Sequence, residues 1–216
     1  MSGEYPSVPE DRLAAGGWTL RSRSDGVVFR MPGMTVTGYT LLYGDEQLRK
    51  ALAESNVESK SNRSTGDSDG FLGGTNDEIG RFFFATALSF QPPLPGIGPA
   101  IVRPTVMKQA RQSLASDFQR RGFEQLEWDD SQRLRTGSGD RGRLWKFTAR
   151  LPASADEQRH DALEIEGWQA VWTTEGSFRI AGGAYPVVDP GDVAEELSTD
   201  PRRFRDELLE LIRSVR

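Results

Sequence analysis

Gly137-Ser138-Gly139-Asp140-Arg141-Gly142 has the G-x-G-x-x-G spacing that can cradle a phosphate. That chemistry needs a strand before the glycines and a helix after them, so that the anion meets a helix N-terminus. Alternating apolar residues follow Gly142, so the glycines are expected to turn a hairpin instead. Arg133, Arg135, Arg141, Arg143 and Lys146 crowd the same hairpin, and strand alternation puts Arg133 and Arg135 on one face. Two readings stay open. The cluster is a patch for an anion or acidic partner, or the acids of Glu124–Asp130 and Glu157–Glu166 neutralise it across strands. Trp168, Ala170 and Trp172 share a strand face, with Phe178 opposite. They form sheet core under a helix or, with one end open, an aromatic pocket for a small ligand. The candidate binding patch is therefore Arg133, Arg135 and Arg143 with Trp168, Trp172 and Tyr185. The alternative is a small-molecule enzyme or ligand-binding protein using Arg, Asp, Glu and Tyr near Gly182–Tyr185.

Other chemistries lack their residues. His160 is the one histidine, set between Arg159 and Asp161 in a polar stretch, so it reads as a surface residue and a two-imidazole metal site is excluded. With no cysteine, disulfides and thiolate sites are excluded too. Asp129-Asp130, with Glu124 and Glu127 nearby, offers oxygen ligands for a hard cation, but adjacent acids at a strand end also make a solvated turn. Asp67-x-Asp69-Gly70 is a fragment of a calcium loop, and Asn62-Arg63-Ser64 is a glycosylation sequon whose use requires export. No catalytic, cofactor or metal residue is assigned, and no cofactor is expected. A net charge of −5 argues against nucleic acid as the main partner. Four lysines stand against twenty-three arginines, a ratio that fits coding bias or salt adaptation. The N-terminus lacks a basic region followed by an apolar core, and no apolar run approaches the ~20 residues that span a bilayer. A cytoplasmic protein without a membrane partner is expected.

The elements that must position these residues centre on Arg81–Phe123. Phe82–Phe90 is the most apolar run and reads as a central strand, stopped by Pro92 and Pro93. Val106, Ala110, Leu114 and Phe118 recur every four residues and predict a helix over 104–121, with Pro104 in its first turn. Gly122 suits the left-handed position that ends it, with Phe123 folding back. Before this unit, residues 1–16 read as a loose arm, or Leu13 with Ala14 and Ala15 as a short helical turn. Trp18–Leu20 and Val27–Met31 read as a hairpin turned by Ser24-Asp25-Gly26, and Met34–Tyr43 as a strand with a bulge at Gly38. Asp45 is placed to cap a short helix over 46–54, and 55–78 reads as a mobile polar insert. After it come strands at Glu124–Trp128, Arg133–Thr136, Leu144–Leu151, Leu163–Thr173 and Phe178–Ala181, the last ended by Gly182-Gly183. Asp200, Pro201 and the stripe Phe204, Leu208, Leu211, Ile212 and Val215 predict a closing helix. The fold class is α+β: one domain with an antiparallel sheet of six or seven strands and two main helices packed on it.

The stretches FFFATALSFQPPLPGIGPA, DFQRRGF, GWQAVW and FRIAGGAYP, within residues 81–186, resemble a group of haloarchaeal proteins with no assigned activity. No catalytic residue is carried over from them. In layout, helix 104–121, meander 123–181 and helix 201–215 resemble the PsbP-like fold, an α/β/α sandwich. That resemblance implies an accessory protein that binds partners and does no chemistry.

Overall fold

The computed structural model describes residues 4–45, 81–94, 98–152, 163–187 and 200–216. Their order is α1 (Glu10–Ala15), β1 (Trp18–Met31), β2 (Met34–Asp45), β3 (Phe82–Gln91), α2 (Gly98–Arg120), β4 (Glu124–Trp128), β5 (Gln132–Arg135), β6 (Arg141–Leu151), β7 (Leu163–Thr174), β8 (Ser177–Val187) and α3 (Pro201–Ser214). The fold is α+β. All paired strands run antiparallel in one eight-stranded sheet of order β1-β2-β3-β8-β7-β6-β4, and β5 pairs with β6 on the same edge as β4, end to end with it. The sheet thus holds more strands than the six or seven expected. No helix among the described residues is long and apolar enough to cross a membrane.

Two helices cover the two faces. Val106, Ala110, Leu114 and Phe118 of α2 are buried against Phe82, Phe84, Phe147 and Ile180. Phe118 meets Phe123 and Phe147 edge-on at 5.1 and 5.3 Å. Gly122 takes φ +84°, and the Phe123 N–H donates to the Phe118 carbonyl at 3.0 Å, closing the helix as the sequence indicates. On the other face Phe204, Leu208, Leu211, Ile212 and Val215 pack over Phe83, Trp168, Trp172 and Tyr185. Each such large side chain removed from water contributes ~1.5–3 kcal/mol. Asp200 accepts a hydrogen bond from the Arg202 N–H at 2.9 Å and caps this helix, with Pro201 at its first turn.

Several expectations are corrected. Ser24-Asp25-Gly26 does not turn a hairpin; these residues pair with Thr40, Tyr39 and Gly38 in the middle of β1. An edge strand has to match a neighbour on one side only, and β1 absorbs its irregularities as register shifts between Leu20 and Ser22 and between Val27 and Phe29. The turn falls at Pro32-Gly33, where Gly33 has φ +71°. The bulges lie in β1 and not at Gly38, whose hydrogen lies under Val28: a Cβ there would sit 2.7 Å from Val28 Cγ1. Pro104 lies inside α2, because the helix begins six residues earlier with Gly98-Pro99. β8 does not stop at Gly182-Gly183 but continues to Val187. The helix over 46–54, the insert at 55–78, His160, Asn62 and the Asp67–Gly70 fragment lie outside the described residues.

A buried charge joins both halves of the second face. The Arg81 guanidinium, 5% exposed, lies 4.3 Å from the Trp18 ring centre and 4.5 Å from that of Phe204. It pairs with Asp45 at 3.2 Å and with Glu207, which also accepts the Trp18 indole N–H at 2.7 Å. This ties α3 to β1, β2 and β3.

Candidate functional site

The arginines that stand out in the sequence meet at one corner of the sheet. In β5, alternation sends Leu134 into the core under α3 and leaves Arg133 and Arg135 on the α2 side. In β6, Trp145, Phe147 and Ala149 face α2, so Arg141 and Arg143 share that side. The register sets Arg133 opposite Arg143 and Arg135 opposite Arg141. All four are exposed, and none forms an ion pair among the described residues. Four guanidinium groups therefore stand as a two-by-two ladder.

The glycine motif holds this hairpin rather than a phosphate. The Thr136 N–H donates to the Asp140 carbonyl, and the Asp140 N–H to Thr136 Oγ1, both at 3.0 Å. Gly139 adopts φ +92° between them. The Gly137 N–H donates to the Arg213 carbonyl at 2.7 Å, which fixes the hairpin to the last turn of α3. β6 follows directly, so the helix that an anion-binding fingerprint needs is not there.

Two further arginines from α2 border the ladder. Arg103 Nη2 donates to Thr173 Oγ1 at 2.6 Å, on the β7 end next to Arg141. Arg111 lies over Trp128 and Trp145, 5.1 and 5.8 Å from their ring centres, and its buried Nε has no hydrogen-bond partner. The sequence reading missed both, although they sit eight residues apart on α2, flanking Val106 and Ala110. The flanks of 46–80, 153–162 and 188–199 lie at the opposite end of the sheet.

The remaining candidate residues are placed elsewhere. Lys146 faces the α3 side, 2.6 Å from Glu166. Trp168, Trp172 and Tyr185 are 7, 1 and 1% exposed under α3, across the sheet from Arg133, Arg135 and Arg143. The Tyr185 hydroxyl donates to Glu166. Burial first, and then this bond, push its pKa well above the usual tyrosine range. The space beside Gly182 and Gly183 is filled: a Cβ on Gly183 would lie 2.1 Å from the Phe82 carbonyl oxygen and 2.8 Å from Leu208 Cδ1. Asp129 and Asp130 are exposed in the β4–β5 link. No three His, Asp or Glu residues are grouped to hold a metal among the described residues.

A cleft of about 500 Å³ at the start of β8 is lined by Tyr39, Ser89, Ser177 and Arg179, with Glu4 and Glu175 at its rim. Burial lowers the Arg179 pKa, while Glu175 and Glu4 act against that shift. Two acids beside one guanidinium leave this cleft without the excess positive charge of the ladder.

Neither the curated proteins nor the solved structures yield a match. Residues 5–216 match the family model described as a domain of unknown function, DUF6517, and the chain belongs to that family.

Proposed function

We propose that the chain is a non-catalytic binding domain that docks an anionic partner through the arginine surface of the β5–β6 hairpin. The ladder carries this reading: Arg133 opposite Arg143 and Arg135 opposite Arg141, exposed and without carboxylate partners among the described residues. Like charges directly opposite one another destabilise a sheet, by roughly 0.2–1 kcal/mol per pair on the scale of cross-strand effects. Folding alone gives no reason for that arrangement. A partner's carboxylates or phosphates convert each guanidinium fork into a bidentate clamp. The reading assigns no catalytic residue and no cofactor.

For the setting we infer the cytoplasm of a salt-adapted cell, of haloarchaeal type, and an accessory role like that of PsbP-like proteins. The Lys-poor, acidic composition and the order of long helix, meander and closing helix support it. At about 1 M salt the Debye length is ~3 Å, so repulsion within the ladder is screened while contact pairs persist.

Affinity purification from native cells at native salt tests the reading, with wild type and the Arg133→Glu/Arg143→Glu variant run in parallel. The expected result is a partner retained by wild type and lost from the variant at an equal melting temperature. A partner kept by both, or by neither, overturns it.

A further inference from the structure

We propose that the partner presents an extended acidic peptide segment, which adds to the free edge of β5 with alternate carboxylates seated on the arginine ladder. The inference rests on the binding-domain reading and names the partner's chemistry.

β5 pairs with β6 alone among the described strands, so its outer edge offers unpaired backbone groups. Arg133 and Arg135 project to one side of that edge with the two-residue repeat of a strand, ~6.6–6.8 Å. A peptide strand docked there has the same repeat, so carboxylates at every second position come level with successive guanidinium groups. Arg141 and Arg143 stand one strand further in, on the same face. They reach the same carboxylates from behind and give each acid two cationic neighbours. Main-chain hydrogen bonds supply affinity in such strand addition, and the alternate side chains supply specificity.

Charge and backbone chemistry favour a peptide over a nucleic acid. The chain as a whole carries a net charge of −5 despite its six clustered arginines. That overall charge disfavours a long polyanion, whereas a short acidic segment engages the ladder alone. A nucleic acid also has no row of N–H and C=O groups to pair with β5.

Fluorescence anisotropy on the full chain tests this with four labelled probes. They are an octapeptide alternating Glu and Val, the same peptide N-methylated at every second residue, a peptide of the same composition with contiguous Glu, and an oligothymidylate of equal charge. The alternating peptide is expected to bind about tenfold more tightly than each of the other three, and Arg133→Gln/Arg143→Gln to weaken it about tenfold. Tighter binding of the oligothymidylate, equal binding of the N-methylated peptide, or indifference to the double substitution overturns the proposal. If the alternating peptide fails while wild type still captures a partner that Arg133→Glu/Arg143→Glu loses, the acidic-strand inference falls and the binding-domain reading stands. Failure of both ends both.

Discussion

Removing one rung of the ladder should make the free protein more stable. Arg143 faces Arg133 across the strands, has Arg135 on the diagonal and follows Arg141 by two residues on the same strand. Extended arginines on neighbouring strands hold their charges ~8 Å apart, which at the dielectric of water is ~0.5 kcal/mol per pair. At an ionic strength of about 0.01 M the Debye length is ~30 Å and most of that repulsion remains; at about 1 M it is ~3 Å and under a tenth remains. Arg143→Gln keeps the length of the side chain and its polarity while removing the charge. With three such neighbours, it should stabilise the fold by ~1 kcal/mol at about 0.01 M salt and by ~0.1 kcal/mol at about 1 M. Urea denaturation at both salt concentrations measures this, and the difference between the two isolates charge from strand propensity. A variant that is less stable at low salt, or whose effect ignores salt, refutes the reasoning, because Arg143 would then be making a favourable contact.

Three further outcomes follow from the packing. Leu208→Ala empties a site 1% exposed over Gly183 and should cost ~2–5 kcal/mol in chemical denaturation, against ~0.5–2 kcal/mol for loss of the cap in Asp200→Ala. Gly183→Ala should cost ~1–3 kcal/mol or more, because its Cβ would lie 2.1 Å from the Phe82 carbonyl oxygen, while Gly26→Ala, with nothing within 4 Å, should stay within ~0.5 kcal/mol of wild type by thermal melting. Tyr185 has its folded pKa raised above the unfolded value of ~10, so its stabilisation is complete below that pH and is lost as pH climbs towards the folded value. Wild type should therefore exceed Tyr185→Phe by ~1.5–3 kcal/mol near neutrality, and the gap in denaturation midpoint should narrow above about pH 10.

The helices were legible because their signal is periodic. Val106 to Phe118 and Phe204 to Val215 name the faces that the structure buries, and Gly122-Phe123 names the stop. Glycine was the ambiguous letter. At Gly33 and Gly139 it turns the chain with positive φ, whereas at Gly182 and Gly183 it lets Phe84, the Phe82 carbonyl and Leu208 come close inside a continuous strand. Local sequence holds both meanings, and only the neighbouring strands decide between them. Asp25-Gly26 misled for a related reason: a turn-forming pair is tolerated on a strand that pairs on one side only among the described strands. At the candidate site, alternation disclosed that Arg133 and Arg135 share a face. The contribution of Arg103 and Arg111 depends on where α2 crosses β7 and β6, and that is a tertiary fact. The separation of the ladder from Trp168, Trp172 and Tyr185 likewise follows from the strand register, which fixes the face each residue takes.

Amide hydrogen exchange of the chain, free and bound to the partner it captures, tests the arginine surface most directly as the docking site. Slower exchange across residues 132–143, with the α3 side and the β1 edge unchanged, is the predicted footprint. Protection confined to β1, α1 or the cleft at Arg179, with none at the β5–β6 hairpin, contradicts it.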